Sequence, residues 1–327
     1  MKPPVKPTRS FPDSLLNQYR QQTDAPADAV IAQLDAQAGR GGVGELFSWL
    51  GDTKNKSLAA QPEVVQQYFV ENQTIPTWAD QRLMQKGMAF FRNNRNEIAI
   101  LLGCLSLPYC YAAADGAQVL YLSQRLHKDA FKRLQETGAF VFDVTKPDAW
   151  QLGEAQHSIL KVRLMHAAVR FFTGQSGKWN AAWGKPINQE DMAGTNTAFS
   201  YVVIRGLRQI GNAPSDDEAE AYLHLWNVIG YLMGVSENLL PQNLREAFAL
   251  DKAIAKRQFK TSEAGQLLTK GLLDAFDDFI ENPLLKTLPA AQMRWLLGDE
   301  VANLLAVPAA SFEKRLVRFL PATLIFG

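Results

Sequence analysis

The densest apolar pattern in the chain occupies residues 154–173, a segment without proline or glycine. Leucine, isoleucine, valine, methionine and phenylalanine recur there around most of a helical projection, which is more apolar surface than an exposed helix carries. The pattern therefore predicts a helix buried in the core. At about 100° per residue, Arg163 and Arg170 lie on the same stripe as His166. His157 points the opposite way.

Helical periodicity also extends over most of the remaining chain. The clearest patterns cover residues 13–22, 27–38, 77–107, 128–144 and 219–235. The last of these follows Ser215 and Glu218, whose spacing is that of a capping box. Alternation typical of strands is almost absent, so the predicted fold class is all-α.

The chain shows no linker and no internal repeat that would divide it. Four prolines fall within the first twelve residues, which indicates a flexible start. We therefore expect a flexible N-terminal tail over residues 1–25, followed by one large helical domain over residues 26–327.

The stretch of residues 98–114 carries no charge and approaches the length of a membrane span. Pro108 interrupts it, and glycine, serine, tyrosine and cysteine dilute its apolar character. A core helix that forms a pocket wall is the favoured interpretation, and no transmembrane segment is predicted.

Composition narrows the function classes. Hydrophobic residues make up 47% and charged residues 20%, with a net charge of +1, so a basic surface for nucleic acid is not expected. The two cysteines form no C-x-x-C pair for zinc or thiol chemistry. The first residues lack the apolar core of a secretory leader, which predicts a cytoplasmic protein.

Common catalytic and nucleotide motifs are missing or misplaced. Gly39, Gly41 and Gly44 satisfy the pattern G-x-G-x-x-G, but a polar helical segment precedes them where a dinucleotide site needs a buried strand. We interpret the glycines as the end of a helix and a loop. The chain contains no H-E-x-x-H, no G-x-S-x-G and no phosphate-binding loop.

The residues around His166 admit two interpretations. A histidine in an apolar helix is often a hydrogen-bonded core residue, and arginines such as Arg163 and Arg170 are often paired with carboxylates. The second interpretation is a haem site, in which a neutral imidazole binds iron and the guanidinium groups offset the propionates.

The stretch RLMHAAVR at residues 163–170, together with GKPINQEDMAGTNTAFSYVVIRGLRQIG further on, resembles the domain of latex clearing proteins (rubber oxygenases) and MpaB-type oxygenases. The resemblance covers about residues 78–268. It implies an all-helical, globin-like core that binds haem b. It also implies that His166 is the proximal iron ligand, with Arg163 and Arg170 beside it.

A second motif upstream adds to this resemblance. Arg133 and Thr137 match the R-x-x-x-T signature of the same family, which implies that both belong to the haem pocket. Their spacing of four places them on one helical face. Where latex clearing proteins have a lysine before this threonine, the chain has Glu136. The distal side is then either open to water or oxygen, or uses Glu136 as an acid/base group; Asp115 is the nearest carboxylate upstream.

Two further sets of residues are candidates on chemical grounds. Asn188, Gln189 and Asp191 either orient His166 through hydrogen bonds or simply cap a helix start. His224, on a separate predicted helix, is the alternative axial ligand.

These observations predict a haem b dependent oxygenase that acts on a hydrophobic, terpenoid or unsaturated lipid-like substrate, with dioxygen bound opposite His166. The alternative is a haem-binding sensor or carrier without turnover. A third hypothesis is a helical interaction protein in which Arg163 and Arg170 pair only with carboxylates.

Overall fold

The computed structural model describes residues 8–52, 57–123, 130–280 and 285–309. Within these ranges every regular element is helical and no strand occurs, so the predicted all-α class is confirmed. The only strand-like pairing among the described residues is an isolated antiparallel bridge between Ala113 and Phe259. No helix in the described ranges is long and apolar enough to cross a membrane.

The first group of helices precedes the histidine segment. It comprises α1 (Asp13–Tyr19), α2 (Ala25–Leu50), α3 (Glu63–Asn72), α4 (Gln81–Asn93), α5 (Arg95–Leu101), a π-helical turn (Leu102–Ser106), α6 (Leu107–Tyr111), α7 (Ala114–Leu122), α8 (Ala130–Val144) and α9 (Pro147–Gln151). The second group comprises α10 (Glu154–Gln175), α11 (Gln189–Phe199), α12 (Tyr201–Gln209), α13 (Asp216–Leu232), α14 (Leu244–Gln258), α15 (Glu263–Phe279), α16 (Leu288–Leu297) and α17 (Asp299–Leu304).

Helix α10 is the long apolar segment and lies between two clusters of buried side chains. Leu160 and Leu164 pack with α2 and α3 in one cluster. Ile159 belongs to the larger cluster, which also contains buried residues of α8 and α13. A helix that buries two faces needs apolar residues around most of its circumference, which explains the pattern seen in the sequence.

The uncharged stretch is broken into short helical pieces around Pro108. Proline has no N–H and clashes with the carbonyl four residues earlier, so the regular hydrogen-bond ladder cannot continue there. The chain adopts a π-helical turn instead, in which Leu107 donates its N–H to the carbonyl of Leu102. The turn is buried and forms part of the core, as the favoured interpretation expected.

Helix α4 begins later than its sequence pattern suggested. The pattern placed the start at Thr77, whereas the side chain of Asp80 caps Gln81–Asn93 by accepting the N–H groups of Arg82 and Leu83. The helix also ends at Asn93 and does not continue unbroken to Leu107. The capping box of α13 is confirmed, because Ser215 and Glu218 exchange both expected hydrogen bonds.

Part of the segment predicted as a flexible tail packs on the core instead. Residues 8–25 include α1, and Phe11, Leu16 and Tyr19 are buried against α11 and α14. Arg9 also forms an ion pair with Glu246 of α14. The apolar residues between the prolines were therefore a stronger signal than the prolines themselves.

The glycine-rich run lies inside α2 rather than in a loop. Gly39 adopts a positive φ of 64°, which kinks the helix, and the helix then continues to Leu50. The regular helix is thus interrupted at Gly39, as the interpretation of a helix end expected, but the loop predicted after it is wrong, because a second helical segment follows directly. Because a helix and not a strand precedes the G-x-G-x-x-G pattern, the context of a dinucleotide site is absent here.

Candidate functional site

One side of α10 is fully buried near the start of the helix and partly exposed further along. Ile159 is fully buried. Val162, His166 and Val169 follow it on the same side of the helix, yet all three are only half-buried. A core helix would be expected to cover these apolar positions, so their partial exposure indicates a gap in the packing.

Helix α8, which contacts α10, shows the matching change. Val141 and Val144 are fully buried in the same cluster as Ile159. Thr137 lies on the same stripe, one turn before Val141, and is only half-buried. A Cβ added to the half-buried Gly138 would meet nothing within 4 Å. The two helices are thus buried near their connection and partly exposed at Thr137 and His166. We infer an opening between them there and call it, with Thr137, Val162, His166 and Val169 at its border, the α8–α10 cleft.

The chemistry of the cleft suits a flat apolar cofactor with a single protein ligand. The imidazole of His166 is half-buried, and its Nδ1 atom is shielded from solvent. A neutral imidazole offers iron a lone pair, and the neighbouring valines offer an apolar wall. Among the described residues no group of three or more histidine, cysteine, aspartate or glutamate side chains could hold a metal ion. These residues therefore fit a haem and do not fit a metal ion bound by protein ligands alone.

The two remaining residues of the R-x-x-x-T motif differ from Thr137. The side chain of Glu136 is exposed, on the edge of α8 beside the cleft. The side chain of Arg133 lies outside the part of the chain that the structure describes. Their expected roles in the pocket stay predictions.

Arg163 makes a two-point ion pair with Asp24 at the start of α2. Its Nε lies 2.6 Å from Oδ2 and its Nη2 lies 2.7 Å from Oδ1, while Nη1 donates to the carbonyl of Leu232 at 3.3 Å. Burial disfavours the charged guanidinium, but the Asp24 carboxylate more than compensates and raises the pKa of Arg163. This arginine is held firmly against α2.

Arg170 is paired less completely. Its Nε donates to Asp28 at 2.6 Å, and its Nη1 donates to the carbonyl of Ile187 at 3.4 Å. Its Nη2 is buried and finds no acceptor among the described residues. The structure thus places both arginines on carboxylates, as the interaction hypothesis expected, and leaves Nη2 of Arg170 without an acceptor in the described part of the chain.

The other described histidines take part in hydrogen bonding and ring packing between helices. Nε2 of His224 accepts the backbone N–H of Asp80 at 2.9 Å, and its ring packs edge-on against Trp78. His157 packs against Phe69 on the opposite side of α10, with ring centroids 4.8 Å apart. His127 lies outside the described residues. Of the histidines described, only His166 lines the α8–α10 cleft.

The polar residues before α11 serve mainly to join helices. Asn188 caps α11 by accepting the N–H of Asp191 at 3.0 Å, so the helix-cap interpretation is confirmed for this residue. Gln189 donates to the carbonyls of Thr23 and Gly234. Both amide hydrogens of Gln189 are therefore committed to the loop before α2 and the end of α13.

Asp191 belongs to a buried group of charges around Arg20. Nη1 of Arg20 lies 3.0 Å from Asp191 and 3.2 Å from Glu190, and Arg257 also pairs with Glu190 at 2.8 Å. Burial raises the pKa of Asp191 to about 6, although Arg20 acts in the opposite direction. Asp115, the carboxylate upstream of the R-x-x-x-T motif, lies 4.0 Å from Arg20. These charges fasten α1 and α7 to α11.

Comparison with known proteins identifies the family. Residues 98–325 match the family described as "ER-bound oxygenase mpaB/B'/Rubber oxygenase, catalytic domain". The chain belongs to this family. It is therefore an enzyme of the oxygenase class, which excludes the hypothesis of a mere interaction protein. Both motifs of the candidate site, on α8 and α10, lie inside the matched region.

Two relatives extend the comparison beyond the catalytic domain. The chain is 27% identical to the rubber oxygenase of Streptomyces sp. (strain K30) over 301 residues, which cover 90% of this chain and 73% of that protein. Its fold is similar to that of a latex clearing protein solved in the closed state, with a TM-score of 0.78 and 24% identity over 94% of this chain and 83% of the other.

The carboxylates that hold the two arginines were missed in the sequence. Asp24 directly precedes α2 and Asp28 lies in its first turn, about 140 positions before their partners and outside the region matched to the MpaB/rubber oxygenase family. Acidic residues at a helix start are explained by the helix dipole alone, so nothing marked them as partners of α10. Their spacing of four, on one helical face, was the one usable signal.

Proposed function

We propose that this oxygenase uses haem b, held by His166, and acts on a hydrophobic substrate that contains carbon–carbon double bonds, of the terpenoid or unsaturated lipid type. The observation that carries the proposal is the α8–α10 cleft, where His166 and the two valines on its side of α10, Val162 and Val169, are all only half-buried. Haem, when bound, supplies the activation of dioxygen and its addition to a double bond.

The two motifs lie at similar distances from the connected ends of α8 and α10, which supports their use in one site. Arg133 is about 16 Å from the end of α8, and His166 is about 18 Å from the start of α10, at about 1.5 Å per residue. Both helices leave the same connection through α9 and contact each other. Arg133 and Thr137 are therefore proposed to border the cofactor held by His166.

The protein's own contribution is ligation and exclusion of water. The imidazole of His166 presents a lone pair, and Val162 and Val169 on either side keep the cleft apolar. Thr137 supplies a hydroxyl on the opposite helix, and Glu136 is proposed as an acid/base group at the rim. Replacement of Glu136 by glutamine tests that role, because it should lower turnover and leave haem content unchanged.

The substrate class follows from the relative rather than from a contact. The Streptomyces protein is named for rubber, a polymer of isoprene units. Since pocket lining and not fold decides specificity, we infer the shared chemistry, an isoprenoid or lipid double bond, and not the polymer itself.

The first experiment is the visible absorption spectrum of the protein expressed with haem supplied, oxidised and then reduced, with a pyridine haemochrome assay on the same sample. We expect a Soret band and a b-type haemochrome, followed by oxygen consumption when terpenoids or unsaturated lipids are added. A colourless protein that takes up no haem would refute the proposal. A haem protein that binds oxygen but oxidises none of these compounds would favour the carrier.

A further inference from the structure

We propose that Arg170, and not Arg163, is the arginine that holds a propionate carboxylate of the bound haem. The inference rests on the proposed function. It adds that two arginines that look equivalent in the sequence have different roles, Arg163 in an ion pair with Asp24 and Arg170 in binding the cofactor. It comes from a comparison of their hydrogen bonds.

Every nitrogen of the Arg163 guanidinium already has an acceptor. Nε and Nη2 donate to the Asp24 carboxylate, and Nη1 donates to the carbonyl of Leu232. The ion pair is also crowded on its Nε side, since a Cβ at Gly234 would lie 2.5 Å from Asp24 and 2.7 Å from Arg163. No nitrogen of Arg163 is therefore left without an acceptor.

Arg170, by contrast, has one terminal nitrogen without an acceptor among the described residues. Asp28 binds only its Nε, the carbonyl of Ile187 is 3.4 Å from Nη1, and Nη2 is buried without an acceptor in the described part of the chain. The side chain is 6% exposed, so bulk water does not readily satisfy this donor. A buried N–H group without an acceptor is costly, and such groups in folded proteins usually have a partner.

The electrostatic balance also differs between the two pairs. Asp24 is almost fully buried and neutralises Arg163 through two hydrogen bonds, whereas Asp28 is 32% exposed and makes one. Water around Asp28 weakens its interaction with Arg170, because charges near solvent are screened. A second carboxylate is therefore better tolerated at Arg170 than at Arg163.

The position of Arg170 fits a group bound at His166. Four residues along a helix correspond to about 6 Å of rise and about 40° of rotation, so the two side chains are neighbours on one face. A cofactor ligated by His166 that carries carboxylates at its edge can reach this donor. Haem b is a cofactor of that kind, since it carries two propionates.

The test compares haemin with haemin dimethyl ester, which keeps the iron and the macrocycle but has no free carboxylate. Both are titrated into the full chain purified without haem, with the Soret absorbance as readout. For Arg170→Gln we expect the dissociation constant of haemin to rise about tenfold or more, the effect of one charge-assisted hydrogen bond. Binding of the ester should change by less than about twofold.

Two further variants keep the test decisive. Arg163→Lys, the matched control on the same helix, should affect both ligands by the same factor. Arg170→Lys retains a cation beside Asp28 and should show an intermediate loss for haemin only, and it replaces Arg170→Gln if circular dichroism shows that the latter is unfolded. Equal losses for haemin and its ester in the Arg170 variants, or no loss, would overturn the inference in favour of a buried water as partner. Failure of the unaltered chain to bind either ligand would instead refute the proposed function.

Discussion

The guanidinium of Arg163 and the carboxylate of Asp24 form a two-point ion pair with N···O distances of 2.6 and 2.7 Å. Because Asp24 directly precedes α2, the pair joins this helix to the histidine helix α10. Both side chains are at least nine-tenths buried. Arg163 lies three positions before His166, so this pair sets the position of the helical turn that carries the proposed ligand. Helix α2 therefore supports the site although it lies outside the matched catalytic domain.

The two ion pairs of α10 should differ in their contribution to stability. Replacement of Asp24 by asparagine leaves Arg163 charged and buried, which should lower the free energy of unfolding by about 3 kcal/mol. Replacement of Asp28 by asparagine should cost less than about 1 kcal/mol, because that carboxylate is partly hydrated. Urea denaturation of the two variants measures the difference. Equal losses would show that Asp24 is not the main anchor of α10.

The ion pair between Arg163 and Asp24 should also require glycine at position 234. Gly211 and Gly234 share a φ of +86°, but a Cβ at Gly211 meets nothing within 4 Å, whereas one at Gly234 would lie 2.5 Å from Asp24. Alanine at Gly211 should cost about 1–2 kcal/mol for the left-handed backbone alone. Alanine at Gly234 should cost about 2 kcal/mol more, because the buried ion pair must move. Thermal unfolding of both variants gives the comparison, and similar costs would contradict the crowding described here.

Removal of His166 should abolish haem retention while the protein stays helical. The cleft would lose its only described imidazole, and the neighbouring apolar residues cannot ligate iron. His224→Ala is the control, since that histidine accepts a backbone N–H from Asp80. Haemochrome content and far-ultraviolet circular dichroism of both variants are the measurements. Normal haem content in His166→Ala, with loss in His224→Ala, would reverse the ligand assignment.

Two adjacent positions of α8 should respond differently to the same substitution, because only one of them is half-buried. Leucine at Thr137 adds bulk on the half-buried side, where the α8–α10 cleft opens, and should therefore reduce haem uptake by blocking space. Leucine at the exposed Glu136 adds the same bulk next to solvent and should leave uptake unchanged. The measurement is the Soret titration of both variants. Equal uptake by the two would place the cofactor away from α8.

The sequence predicted the helices well where burial alone decides them. The core position of α10 follows from its apolar residues, and the capping box at Ser215 follows from local hydrogen bonding. Helix limits that depend on neighbours were predicted less well. Asp80 rather than Thr77 opens α4, where His224 of another helix accepts the Asp80 N–H. The kink at Gly39 required knowledge of what packs on both halves of α2.

The candidate site shows the same difference between features that the local sequence determines and features that depend on distant helices. Its residues on single helices, such as Thr137 and His166, can be predicted from motifs because a spacing of three or four places side chains on one face. The partners of Arg163 and Arg170 cannot, since they come from a distant helix and no local pattern encodes that pairing. The open donor of Arg170 is a property of this three-dimensional packing alone.

Stability should depend on pH through the contact between His224 and Asp80. Burial lowers the pKa of His224, against the smaller opposite effect of the Asp80 carboxylate, because a protonated imidazole would be poorly solvated and could not accept the Asp80 N–H. The unfolded chain, where the histidine has its ordinary pKa of 6.5, then binds more protons than the folded one. The contribution of His224 to the free energy of unfolding is therefore complete above pH 6.5 and is lost as the pH falls through the lower pKa of the folded chain.

The His224→Asn variant isolates this effect because asparagine does not titrate. Between about pH 5 and 7 the unfolding free energy of the unaltered chain should fall more steeply towards acid than that of the variant. Asp191, whose pKa is raised to about 6 by burial, acts in the opposite direction, but it is present in both proteins and cancels in their difference. Urea denaturation at several pH values gives both curves. Parallel curves would mean that His224 titrates alike in the folded and unfolded chains, and that its contact with Asp80 is not maintained in solution.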